Sequence, residues 1–222
     1  MKKFLKYFAL FLVLGIVYVV YQNYPRLNLI TGFSAKSTAS VVFLADRTLE
    51  SVEAQDNNFP PITEGKSSID REAKSASAKV FGLKKRTAVY REGLGAVLVN
   101  DEYDANEPYL VPNRDKTPKS LPFPYGDLPQ KDTIFENVDY DRISKAVDQA
   151  FDKNEEWEKK TRSLLVVYKD QIIAEQYADG FDKNSLHLGW SMTKSVMSTV
   201  YGVLNQQGKM DVNEPAPFEE WK

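Results

Sequence analysis

A chain of 222 residues has room for one ordinary domain or one and a half. Its 42% hydrophobic and 12% aromatic content is too high for a disordered chain, and a formal net charge of −2 without a basic stripe argues against nucleic acid as a partner. With no cysteine and a single histidine, His187, disulfides, thiolate zinc sites and multi-histidine metal centres are excluded, and no cofactor is expected.

Lys2, Lys3 and Lys6 lead into an almost wholly apolar run from Tyr7 to Tyr21. Counted from Phe4 the stretch is 18 residues long with one charge, Lys6, which can snorkel to the membrane surface. An uncleaved anchor and a cleaved secretory signal both fit. The lack of a small-x-small cleavage site before Tyr24-Pro25 favours the anchor. Three lysines before the run against Arg26 after it put the N-terminus in the cytoplasm, with the rest of the chain on the periplasmic or extracellular side.

Residues 23–50 contain a mixed apolar stretch, Ser40 to Ala45, too short to span a membrane. Residues 51–68, with Pro60-Pro61 and Gly65, read as a loop. Short strands follow: Ala76, Ala78 and Val80 alternate with polar neighbours, and Thr87–Tyr90 and Ala96–Val99 flank Gly93-Leu94-Gly95 as a hairpin. Six prolines between 108 and 130 exclude regular structure and predict an extended wrap or a linker. A helix is expected from an N-cap at Asn137 or Asp139, with Ile143, Val147, Ala150 and Phe151 on one face. Leu164–Val167 suits a buried strand, Lys169-Asp170 a turn, and Gln171–Tyr177 the returning strand, ended by Asp179-Gly180. Beyond Ser191, Val196, Val200, Val203 and Leu204 mark a second helix, closed by Gly208.

Ser191-Met192-Thr193-Lys194 matches S-x-x-K, the nucleophile motif of β-lactamases and penicillin-binding proteins. On a helix, three residues turn the chain by about 300° and advance it about 4.5 Å, so both side chains share a face. A serine at the helix start meets free backbone N–H groups that favour an oxyanion. A lysine in that first turn, if buried, serves as proton acceptor or shuttle. The spacing alone is weak, because 15 serines and 21 lysines give roughly one such match by chance, and the chain has one. Its context is stronger: it follows a strand hairpin, opens an apolar helix and sits beside Trp190, a candidate wall of the substrate pocket.

Residues 137–222 resemble the start of the serine hydrolases related to class C β-lactamases and to 6-aminohexanoate-oligomer hydrolases. The resemblance is carried by Ser163–Asp170, Ala174–Phe181, Gly189–Val196 and Pro215–Trp221. The segment Phe81–Gly95 is similar to the N-terminal extension of an exported branch, in which cysteines often stand at the positions of Ala39 and Ala96. The resemblance implies an α/β (α+β) chain with a β-lactamase/transpeptidase-like fold, a sheet assembled from both ends of the chain, and hydrolysis of a small amide or ester substrate through an acyl-enzyme. It also implies a downstream tyrosine base and a late strand supplying the second oxyanion donor. The sequence stops at Lys222, before either, so the chain is expected to be a partial and inactive piece. The division expected is 1–22 anchor or signal, 23–136 extension with short strands and a proline-rich wrap, and 137–222 the first part of the hydrolase domain.

Two other readings stay open. Gly189-Trp-Ser-Met-Thr193 is one residue short of the G-x-S-x-G elbow of α/β-hydrolases, whose Asp and His follow the serine, whereas His187 precedes it. A membrane-tethered cell-envelope binding module with an incidental S-x-x-K is the non-enzymatic alternative.

Overall fold

The computed structural model describes residues 2–104, 106–151, 159–215 and 219–221. It is mixed α+β, with one long apolar N-terminal helix and antiparallel sheets, and divides into two units, Met1–Leu186 and His187–Lys222.

Helix α1 (Lys2–Asn23) passes through a single 3-10 turn, Tyr24–Arg26, into α2 (Leu27–Phe43). Pro25 falls in that first turn, where a missing N–H costs no hydrogen bond. The run is long and apolar enough to cross a membrane, a property that a secretory signal shares.

Within residues 23–50, where only the short apolar stretch Ser40 to Ala45 stands out in the sequence, lies helix α2. It was hidden because the face it buries is made of small residues: Thr31, Ser34, Ala35, Thr38, Ala39 and Val42 recur at helical spacing. That face lies on a four-stranded antiparallel sheet in the order β1 (Gly65–Asp70), β2 (Ser75–Val80), β3 (Leu83–Arg91), β4 (Gly95–Leu98). Small side chains let the helix approach the sheet closely. Short helical turns, α3 (Leu49–Ser51) and Val52–Asp56, precede the sheet, and β1 begins inside the expected loop.

The sheet's inner face follows the expected alternation, with Ala76, Ala78 and Val80 all buried on β2. Ala35 and Ala39 of α2 meet Ala76, Ala78, Ala88 and Ala96 in one core cluster, with Phe43 packed against it. Ala39 and Ala96, where the resembled branch often carries cysteines, therefore belong to the same core. A core of six alanines has no slack, because an added methylene has nowhere to go. Ala88→Leu is expected to lower the urea midpoint by the equivalent of about 1–3 kcal/mol. An unchanged midpoint would mean that α2 does not seat on the sheet as described.

The Gly93-Leu94-Gly95 hairpin is present, with Ala88 opposite Leu98 and Arg91 opposite Gly95. Gly93 has φ +76°, and a Cβ there would lie 2.7 Å from Val111 Cγ1, so both backbone and space require glycine.

The proline-rich segment is an ordered wrap over the second hairpin, β5 (Ser163–Tyr168) and β6 (Gln171–Tyr177). The Tyr125 hydroxyl donates to Asp170 Oδ2 at 2.6 Å, and that carboxylate holds the phenol above its ordinary pKa. Gln130 Nε2 donates to the Ile172 carbonyl at 2.9 Å, and its Oε1 accepts the Ile172 N–H at 2.8 Å. Asn137 donates to the Tyr168 hydroxyl, against whose ring Phe135 packs edge-on. The N-cap of α4 (Tyr140–Ala150) is Asp139, whose Oδ1 accepts the Arg142 N–H. Val147 and Phe151 bury its apolar face. β5 is not the buried strand expected: Leu165 and Val167 are exposed, because the hairpin is covered on one side only.

One buried charge ties early and late segments of this unit together. Asp56 Oδ1 pairs with Arg162 Nη1 at 2.9 Å and its Oδ2 with Arg47 Nη1 at 2.8 Å, the second contact an ion pair rather than an aligned hydrogen bond. Both guanidinium groups lie 5.3 Å from the centroid of the Phe181 ring.

Candidate active site

The residues named from the S-x-x-K motif all fall in the unit His187–Lys222, at the start of α5 (Met192–Gln206). The chain enters the helix through a turn in which Trp190 carries φ +45°, a backbone region bulky residues rarely occupy. Ser191 itself is relaxed at φ −67°, ψ −10° in the N-cap position. Thr193 Oγ1 donates to the Trp190 carbonyl at 2.7 Å, and the Met192 N–H reaches the Gly189 carbonyl at 2.9 Å. These two bonds close the turn. In the sequence Thr193 stands out only where the last glycine of an elbow would be, although a threonine three residues after a carbonyl is a known local partner for it.

The motif's two side chains meet. Lys194 Nζ donates to Ser191 Oγ at 3.1 Å, the contact that a three-residue helical spacing allows. Among the described residues nothing accepts the Ser191 N–H, which leaves a donor beside the hydroxyl at the positive end of a 15-residue helix. Ser191, Lys194 and Trp190 are all exposed, so the condition of burial placed on the lysine is not met within this unit. The helix ends as expected, with Gly208 at φ +66° and its N–H on the Asn205 carbonyl. Its apolar stripe stands open: Val196, Val200 and Val203 are exposed.

The arrangement departs from a nucleophile elbow at two points. An elbow puts the serine itself on a strained turn directly after a strand. Here the strain lies on Trp190, and β6 ends at Tyr177. A Cβ on Gly189 would meet only Thr193 Cγ2 at 3.7 Å, an ordinary contact, so that glycine is not sterically required. Among the described residues no cluster of three or more metal-ligating side chains is present. Searches of protein-family models, of curated proteins and of solved structures find no match to this chain.

Proposed function

We propose that this chain carries the nucleophile of an exported, membrane-anchored serine hydrolase of β-lactamase-like fold that cleaves amide or ester bonds. The observation that supports the reading best is the 3.1 Å contact between Lys194 Nζ and Ser191 Oγ at the opening of α5. In the proposed step Lys194 Nζ accepts the Ser191 hydroxyl proton while Oγ bonds to the substrate carbonyl carbon, a role that requires packing from outside α5 to bury the lysine. The Ser191 N–H would donate to the oxygen that gains charge. The departing amine or alcohol then takes the proton, and water releases the acyl group from Oγ. Labelling by a fluorophosphonate probe, mapped to the modified residue, tests the assignment.

The anchor belongs to the same proposal. The full-length protein is expected to remain in the membrane pellet after carbonate extraction, with protease reaching residues beyond Arg26 only from the outer side. A soluble mature form beginning near Tyr24 would replace the anchor with a cleaved signal.

A second reading is favoured by the open apolar stripe of α5: a tethered module that binds a partner and performs no chemistry. A folded protein in which Ser191 does not react with the probe selects that reading.

A further inference from the structure

We propose that the β2–β3 hairpin tip is a second membrane contact, dipping Phe81 and Leu83 into the bilayer that holds α1 while lysines around it bind anionic phospholipid headgroups. The proposal rests on the anchor reading above.

Three sets of contacts fix which end of the sheet faces α1. Lys84 Nζ lies 4.4 Å from the centroid of the Tyr24 ring, and Asn28 shares a cleft with Lys84, Lys85 and Arg86. Further along, an added Cβ on Gly32 would lie 3.6 Å from Leu98 Cδ1. At the far end Phe43 pairs with Tyr90, their ring centroids 6.3 Å apart, and Gly95 lies by Leu44. Strand β3 therefore runs in the same direction as α2, and its beginning points back toward α1. From Lys84 the hairpin extends about 7 Å further, one residue to Leu83 and one more to the Phe81-Gly82 turn, at a strand rise of about 3.3 Å per residue. That carries the tip past Tyr24 toward the end of α1, where the exposed Tyr18 and Tyr21 have the character of an interfacial aromatic belt.

The tip is built unlike an ordinary soluble turn. Val80 pairs with Leu83 across a two-residue turn in which Phe81 and Gly82 have φ +51° and +76°. Such a turn favours asparagine or glycine at its first position, and a phenylalanine there is held in a backbone region it rarely adopts. Phe81 is 75% exposed and Leu83 48% exposed. Behind them stand Lys79 and Lys85, both exposed, with Lys84 and Arg86 half-buried and Arg26 exposed at the head of α2. Asp101 is the one carboxylate lining the cleft that holds Lys84, Lys85 and Arg86. An apolar tip with a basic collar beside a membrane helix matches the chemistry of an anionic bilayer surface.

The 222 residues contain no cysteine, so a Leu83→Cys variant of this chain, with its N-terminal helix, can carry one environment-sensitive fluorophore, with Leu94→Cys at the opposite turn as its control. Each is reconstituted into phosphatidylcholine vesicles with and without phosphatidylglycerol and challenged with a neutral aqueous quencher. The label at position 83 is expected to lose quenching in the phosphatidylglycerol vesicles and to regain it when Lys79→Glu and Lys85→Glu are added, while position 94 is quenched throughout. Protein that floats with the vesicles but is quenched equally at both positions overturns the docking alone. Equal protection at position 83 in neutral vesicles overturns the headgroup assignment. Protein that does not float overturns the anchor and the docking together.

Discussion

A fluorophosphonate probe is expected to label the full-length protein once, at Ser191, and Ser191→Ala to abolish the label. Lys194→Ala is expected to slow labelling by about 100- to 10,000-fold, the usual effect of removing a positioned proton acceptor. The fold should survive, because Lys194 is exposed and its ammonium bonds to Ser191 Oγ rather than to the core. Surface changes of this kind are usually within about 0.5 kcal/mol. Lys194→Arg separates charge from chemistry: a guanidinium keeps the positive charge but does not give up its proton, so it should fail as alanine does. Labelling that survives Ser191→Ala, or an undiminished rate in Lys194→Arg, would remove the pair from the mechanism.

The largest expected effect on stability comes from Asp56. Its carboxylate is almost wholly buried, and Asp56→Ala would leave Arg47 and Arg162 facing each other over Phe181 without an anion. Removing one partner of a buried ion pair costs about 3–5 kcal/mol, a large share of the 5–15 kcal/mol that a typical domain has in total. Both arginines keep partial contact with water, which places the expectation at the lower end of that range. Arg47 also retains its bonds to Ser51 and Gln55 in the variant. The loss should therefore concentrate where Arg162 enters β5. Denaturant unfolding gives the magnitude, and faster hydrogen exchange at the Ala178 amide, bonded to the Arg162 carbonyl, gives the place. A loss below about 1 kcal/mol would show that the three groups are solvated and independent.

Local chemistry made much of this architecture legible in advance. The Gly93-Leu94-Gly95 turn, the Asp139 cap and the Gly208 terminus each announce themselves through a residue suited to one backbone geometry. Lys169-Asp170 worked as a turn although neither residue is glycine, with φ +46° and +60°. Two things were not legible. Helix α2 presents serine, threonine and alanine to the sheet, so no stripe of large apolar residues marks its buried face. The Asp56 cluster joins residues that nothing in sequence order connects. At the candidate site the spacing of Ser191 and Lys194 foretold their contact, since helix geometry alone sets it. Whether the pair is shielded from water depends on packing from outside α5, which no local pattern encodes.

Gln130 has a consequence for how the chain keeps to itself. Its side-chain amide makes with Ile172 the same two bonds that one residue of a neighbouring strand would make. A bare strand edge invites any extended segment nearby, including another copy of the same protein, to zip alongside. Here a single amide occupies that register of the β6 edge and adds no strand that would expose an edge of its own. The proline-rich wrap that delivers it is a poor template in turn, since each proline lacks an N–H to offer. During synthesis, when many copies are unfinished at once, this closure keeps the hairpin from recruiting its siblings at that register.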